Sequence, residues 1–448
     1  MPEYALRIVV EKIDLADNNR VVGRDEVSNI AINAPKNIMD LGLRHGAQIE
    51  LLKMIQDKLL HEQAPYLQPE LSQCAQCGAN LCGNGYKQSK FHAVFTDHDV
   101  RLQKLKCMHC KTSIVSSVKS LLGTSIHPDL YRLQCEHGAN HTYRKAEENL
   151  TKMCNTKRKV NNHNRIKKIT NKVGEVLSEK HKVYDETESL SPAKDIIIQV
   201  DGGHIKTTET EKRSIEVMSA KIYRPESVVA VTKQRREIVD RHCVASAKAD
   251  KQSSMKQYVK TAAKLQGLSA ITQVTGLADG AKNCWGIIKS LENDCKKLEC
   301  ILDWFHIAKK FEPVIKSSSK TTSKLLKEVK SSLWAGKIDD ALGLLKALKS
   351  DTTNENKSKI NGLYLYINSN KEFITNYSSR AKNQLPYTSQ VAESTVEHLI
   401  NDRHKRSQKM QWSRKGAHHV LQIRASMASH QWVLEWQDAI FDAIKGAA

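Results

Sequence analysis

Between Ile196 and Val200 the chain reads IIIQV, four apolar residues and one glutamine, and then meets Asp201, Gly202 and Gly203. β-branched residues in so short a run favour an extended strand over a helix. Burying a charged carboxylate is costly unless it is paired or holds a metal, so a strand that stops at an acid and two glycines fits one reaching an open sheet edge. No other stretch constrains the fold as much: it asks for a covered sheet with an acid at its rim. A structural aspartate opening a turn would give the same residues, so the choice rests on the rest of the chain.

Downstream, strand-like and helix-like segments alternate. Strands are expected at 215–223 and 227–232, with a helix over 246–265. A fourth strand lies in ITQVTGLADG and ends in Asp279 and Gly280; a helix follows in AKNCWGIIKSLEND. A fifth strand, 299–304, runs into LDWFH and sets Asp303 and His306 close together on one element. Two separate strands thus each end in Asp followed by Gly. Residues 308–385 are Lys-rich and helical in pattern, with a polar gap at DTTNENKSK, and read as an inserted all-α block. The late segment VAESTVEHLINDRHKR is a helix by its spacing and carries Glu393, with Glu397 one turn away on the same face. Two acids at strand ends and one on a late helix are what a two-metal phosphoryl-transfer site requires, because hard divalent ions take oxygen ligands and can serve both the attacking and the leaving oxygen.

Upstream of this unit, Cys74 and Cys77 form a CAQCG turn, and Cys107 and Cys110 form CMHC after the alternating segment FHAVFTDHDVRLQKLK. Two CxxC turns bridged by a hairpin can present four thiolates to a structural zinc ion. The gap between the pairs exceeds the usual ribbon spacing, and Cys82, Cys135 and His137 are alternative ligands; unrelated buried thiols would be the plain alternative. Two helices, 140–153 and 161–179, flank the polar break NTKRKV and have the layout of a helix-turn-helix. The start of the second carries Asn162, Asn164, Arg165, Lys167 and Lys168, donors suited to phosphates and base edges. The first 70 residues offer an alternating strand, 4–13, and a helix, 45–60, with no evident chemistry.

Charge narrows the partner. With 70 Lys and Arg against 49 Asp and Glu, the net charge is +21, spread over several segments including KRKVNNHNRIKKITNK and NDRHKRSQKMQWSRK. Such a surface favours a polyanion, through the counterions that bound phosphates release. Eleven cysteines, an odd count with several in close pairs, argue for metal in a reducing compartment before disulfides. No run approaches a membrane span, and the start, MPEYALRIVVEKIDL, is broken by charges, so a cytoplasmic protein is expected.

The segments VDGGHIK, ADGAKNCW, LDWFHIAKKF and ESTVEHLINDRHKRSQKMQWS resemble the successive blocks of bacterial insertion-sequence DDE transposases with an RNase H-like catalytic domain, in the Mutator-related branch and its Kra-type members. The resemblance runs from about Cys74 to Met427 and includes the paired CxxC turns. It implies that Asp201, Asp279 and Glu393 form a DDE triad holding two Mg²⁺ or Mn²⁺ ions, with Asp303 and His306 as the supporting Asp-x-x-His signature. Arg403, Lys405 and Arg406 then belong to the block that contacts DNA. In two places the chain departs from the pattern: Thr388, Ser389 and Gln390 stand where the family has Gly-Ser-Gly, and one extra residue separates Ser407 from Met410. Glu397 as the ligand in place of Glu393, and Asp303 as the second acid if its strand neighbours that of Asp201, are the competing assignments.

The expected protein is therefore α/β: an accessory region (1–70), a zinc-ribbon-like domain (71–123), a helix-turn-helix region (124–182) and a linker (183–192). An RNase H-like core with a mixed five-stranded sheet and helices on both faces follows (193–307), interrupted by an all-α insertion (308–385) and completed by C-terminal helices (386–448). The resemblance implies a Mg-dependent transposase acting on double-stranded DNA, at least dimeric on it, cytoplasmic and nucleoid-associated when bound. A non-catalytic DNA-binding relative and an RNase H-like resolvase or nuclease are the rival expectations.

Overall fold

The computed structural model describes residues 4–68, 71–232, 236–351, 354–389, 397–405 and 410–446. The chain divides into two compact units, Met1–Ile169 with Gln437–Ala448, and Thr170–Trp436.

The first unit opens with an antiparallel ribbon, β1 (Tyr4–Asp14) and β2 (Arg20–Ile32), followed by α1 (His45–Gln63). The sequence pattern foretells β1 and α1 but not β2, where Arg24, Asp25 and Glu26 interrupt the alternation. A three-stranded antiparallel sheet comes next: β3 (Leu81–His92), β4 (Asp97–Cys107) and β5 (Ser113–Val115). Val100 and Leu102 of β4 alternate inward against Ala64 and Val118, the latter opening the short α2 (Val118–Leu122). Three helices follow, α3 (Pro128–Asn140), α4 (Tyr143–Met153) and α5 (His163–Lys180). Leu133, Ala146, Leu150 and Ile166 join them in one small core. The helix expected over 140–153 begins three residues later, as α4, and a separate helix, α3, precedes it. Pro128 opens α3 after the His127 cap, and Thr142 caps α4, accepting a bond from the Lys145 N–H.

Arg158 ties these helices to the sheet. Its guanidinium is almost wholly buried and donates to the carbonyls of Ala93, Val94 and Thr96 and to the Asp97 carboxylate, all in the β3–β4 turn. Burial opposes ionisation of Asp97, but His92 and Arg158 outweigh it and hold that carboxyl down to about 2.

The second unit is built on a mixed five-stranded sheet. Its strands are β6 (Asp195–Lys206) and β7 (Ser214–Tyr223); then, after a short ribbon of β8 (Val228–Ala230) and β9 (Arg236–Ile238), β10 (His242–Ser246), β11 (Gln273–Ala278) and β12 (Lys297–Leu302). The order is β10-β7-β6-β11-β12, with β6, β11 and β12 parallel and β7 antiparallel to both of its neighbours. The strand expected at 227–232 is present only as the short β8, which pairs with β9; the sheet is extended instead by β10, whose His242 and Ser246 disguise a five-residue strand buried at its centre. Between β10 and β11 comes α6 (Ser253–Leu265), which begins later than its pattern suggests, because Lys251 and Gln252 turn the chain at positive φ.

Alternate residues of the β6–β7 hairpin face opposite layers. Ile196, Ile198, Val200, Ala220 and Ile222 share a core with Met255, Tyr258 and Val259 of α6 and with Ile287 and Ile288 around α7 (Lys282–Ile288). Ile205, Ile215 and Val217 pack with Ala417, Val420 and Leu421 of a late helix. After β12 the helices α8 (Trp304–Ser317), α9 (Lys320–Trp334), α10 (Ile338–Asp351), α11 (Asn354–Ser369) and α12 (Tyr377–Lys382) form the helical block. Phe311, Leu326, Leu345, Ile367 and Tyr377 place it in the same buried cluster as the sheet. A π-helical turn, Glu397–Asn401, then leads through α13 (Asp402–His404) to the late helix α14 (Arg414–Ala428) and to α15 (Trp432–Lys445).

Candidate functional site

Register explains where the acids fall. Val200 of β6 lies level with Ala278 of β11, and Ala278 with Leu302 of β12. The next residue of each strand is an aspartate, so Asp201, Asp279 and Asp303 form one row where the parallel pairing stops. Asp201 does not end its strand, as the glycines had suggested. β6 continues to Lys206 because antiparallel β7 pairs with it as far as Ser214. The acid is instead at the rim of the parallel part, with the hairpin projecting past it. β11 lies between β6 and β12, so it is Asp279, not Asp303, whose strand neighbours that of Asp201.

Around the row the side chains are held from several elements. Asp303 caps α8, accepting from the Phe305 N–H at 2.9 Å, and is 2 % exposed. The Ser389 N–H and hydroxyl donate to its two oxygens at 3.1 and 2.5 Å. One turn into α8, His306 sets Nε2 3.7 Å from Asp303 Oδ2 and 4.0 Å from Asp201 Oδ2. Half-buried Asp279 accepts from the Ala281 N–H, while its carbonyl receives the Tyr366 hydroxyl at 2.8 Å. Tyr377 makes the matching bond to the Leu302 carbonyl at 2.7 Å. Gly280 turns the chain at φ +97°, and a Cβ there would press on the Asn370 side chain.

Burial raises the Asp201 carboxyl above the ordinary carboxylate range, and the charges of Asp279 and Asp303 add to the rise; His306 and the Gly202 N–H oppose it. Carboxylates from three strands thus gather at one edge of the sheet.

Sequence reading missed the bonds from Ser389, Tyr366 and Tyr377. Ser389 had stood out only as a departure from a pattern, and the two tyrosines lay in the helical block. Their signal is a polar group inside an apolar helix face, legible once the block is known to share the sheet's core.

Glu393 and Arg406 lie outside the described residues. Arg403, expected at a DNA surface, is 2 % exposed, and its guanidinium stacks 4.6 Å from the centre of the Trp412 ring. Trp412 is fixed there by backbone bonds with Lys206 and Thr208 at the end of β6, so Arg403 is a packed residue. Lys405 is exposed. Asn162 is half-buried and accepts from the Asn164 N–H at the start of α5, whereas Asn164, Arg165, Lys167 and Lys168 present exposed side chains. The connection from Cys154 to Asn162 contains a 3-10 turn, longer than the tight turn that joins a helix-turn-helix.

In the first unit, the Sγ atoms of Cys74, Cys77, Cys107 and Cys110 all lie within 4.8 Å of one another. Cys74–Cys110 and Cys77–Cys107 are each 3.5 Å apart. That is too long for a disulfide, at about 2.0 Å, and near the roughly 3.8 Å expected between sulfurs around tetrahedral zinc with 2.3 Å bonds. Each CxxC turn closes on itself: the Cys74 N–H bonds Ala79 and the Cys107 N–H bonds Thr112, each at 2.8 Å. Gly78 and Lys111 take the left-handed conformation that such turns need. The Thr112 hydroxyl and N–H hold the Cys110 thiol down to about 6, whereas the neighbouring thiols outweigh the Ala79 backbone bond and push Cys77 up to about 11. These four thiols can hold a structural metal such as zinc, and among the described residues no other group of His, Cys, Asp and Glu is gathered so closely.

A third polar cluster is chemically quiet. Ser178 Oγ, Tyr258 OH and His418 Nε2 bond one another at 2.9 to 3.3 Å in the interior. His418 Nδ1 accepts from the Ala247 N–H, leaving the proton on Nε2, so the ring donates to Ser178 and cannot serve as its base. Burial pushes His418 down to about 3. The cluster is a neutral tie between α5, α6 and α14.

No helix among the described residues is long and apolar enough to cross a membrane. The chain belongs to a family known as an uncharacterised protein family, UPF0236, whose model matches residues 124–436. That span includes the sheet and its acids but not the four thiols. No curated protein matches the chain.

Proposed function

We propose that this member of the family is the transposase of a bacterial insertion sequence, a DDE enzyme with an RNase H-like core that cuts the element ends and joins them to target DNA. The observation that carries the reading is the level row of Asp201 and Asp279 on adjacent parallel strands of a mixed five-stranded sheet. Supporting it are the raised Asp201 carboxyl and the charge of +21.

Two Mg²⁺ or Mn²⁺ ions, with oxygen ligands from Asp201, Asp279 and Glu393, would activate the attacking water or 3′-hydroxyl and stabilise the leaving oxygen. The protein's own part is placement. Asp303 is pinned by Ser389 and the Phe305 N–H, and His306 stands between it and Asp201, where a protonated ring would attract both carboxylates. Asn164, Arg165, Lys167, Lys168 and Lys405 would neutralise DNA phosphates, with affinity that falls steeply as salt rises. The four thiols would hold structural zinc. The enzyme would work as at least a dimer on double-stranded DNA, cytoplasmic and nucleoid-associated.

The test is Mg²⁺-dependent cleavage of a linear fragment carrying this gene with its native flanks, followed by transfer of labelled ends into a plasmid. Cleavage and joining by wild type, lost in Asp201→Asn, Asp279→Asn and Glu393→Gln, is the expected result. Cleavage without joined product would instead mark a resolvase or nuclease of the same fold. Salt-sensitive end binding with no cleavage would mark a non-catalytic relative.

A further inference from the structure

The ribbon at the start of the chain has no core of its own. Every residue of β1 and β2 is exposed or half-exposed, although Leu6, Ile8, Val9, Val10, Val21, Val22, Val27, Ile30 and Ile32 make it rich in strand-forming apolar groups. It forms a two-stranded sheet with an open edge on either side. Its ties to α1 include two surface ion pairs, Lys12 to Glu62 and Lys58 to Asp25. A two-stranded ribbon is marginal in water, and a long open apolar edge invites another strand.

We infer that the outer edge of β1 pairs antiparallel with β1 of a second copy, giving a continuous four-stranded sheet across a two-fold axis at Val9. Charge chooses this occupant. With Val9 opposite Val9, Arg7 of each copy stands opposite Glu11 of the other, and Ile8 opposite Val10. Within one copy Arg24 already pairs with Glu11 at 3.5 Å, and Arg7 with Glu26 at 3.3 Å. Pairing two copies therefore sets Arg24, Glu11 and the second copy's Arg7 in one cross-strand row, with Glu26 of that copy reaching its Arg7 from a diagonal position. A parallel pairing in register would set Arg7 against Arg7 and Glu11 against Glu11, which is repulsive. The antiparallel contact is isologous, so it closes as a dimer and does not propagate. It needs no nucleic acid and does not depend on the catalytic reading.

Sedimentation of the full chain without DNA tests it. Wild type should be a dimer that dissociates on dilution. Arg7→Glu and Glu11→Arg, each alone, put like charges at both facing positions and should weaken self-association about tenfold or more. Mixing the two variants restores opposite charges at every facing position, so a heterodimer of near wild-type affinity should form. A variant that merely unfolded the ribbon would not be rescued by its partner. A monomeric wild type, a dimer indifferent to both substitutions, or two weakened variants that stay apart on mixing would each overturn the inference.

Discussion

The four thiols and the three aspartates each bring groups that can ligate a metal to one place, but the chain assembles them in opposite ways. The thiols sit on two tight turns whose backbone bonds close locally, so the geometry of each pair is set within a few adjacent residues. Each aspartate is a single residue on its own strand, and the row exists only because three strands share a register. Closed coordination of the first kind contributes to folding. Burial and the neighbouring carboxylates raise Asp201, so the row disfavours that charge, as the proposed catalytic role would require.

The comparison breaks first if removing an acid harms the fold. Asp201→Asn or Asp279→Asn should lower DNA cleavage about a thousandfold or more, with the thermal midpoint of the metal-free protein unchanged or raised. Loss of folding alongside activity would make the row structural.

The thiol cluster should behave in reverse. Chelation of zinc, or Cys107→Ser, should release much of a metal-binding free energy on the order of 10 kcal/mol in favourable cases. Hydrogen exchange should then accelerate through β3, β4 and β5 while β6 and β11 stay protected.

Arg158 asks how much of that hairpin is held without metal. Arg158→Met leaves Asp97 and three carbonyls of the β3–β4 turn without their buried partner, a loss of about 3–5 kcal/mol. Urea melts of the zinc-loaded protein would measure it; a change within error would mean that the metal alone secures the hairpin.

Gly174 probes the support behind the sheet. A Cβ there would overlap the His419 backbone of α14, so Gly174→Ala should cost about 1–3 kcal/mol by forcing α5 and α14 apart. Full stability in that variant would show that the two helices are free to shift.

The smallest effect is one of pH. Because the Asp201 carboxyl is raised, its folded form holds a proton more tightly than the unfolded chain does. Its contribution is therefore favourable below the ordinary carboxylate pKa of about 3.9 and is lost as pH rises through the folded value. The metal-free Asp201→Asn protein should thus exceed wild type in midpoint at neutral pH, with the gap shrinking on acidification. A gap that widened in acid would contradict the repulsive row.

Much of this was legible in the residues themselves. IIIQV before Asp201, TGLA before Asp279 and CIL before Asp303 are short runs, apolar in the main, that fit buried strands, and CxxC twice over carries its own turn geometry. Less legible was whatever depended on a distant neighbour. β10 hid behind His242 and Ser246 because its identity comes from pairing with β7. Arg403 read as a surface cation because nothing local announces that Trp412, bridged to the end of β6, will cover it. Ser389 read as a departure, since its bond to Asp303 spans most of the helical block.

By itself, then, the sequence determined the three strands that lead into aspartates, the paired thiol turns and the excess of positive charge, all of which are properties of a few adjacent residues. The tertiary structure alone decided that three acids stand level, that Asp201 lies within a strand and not at its end, and that His306 reaches two carboxylates at once. Those facts depend on register and strand order, which are settled by how whole faces of the sheet bury their apolar side chains against the helices.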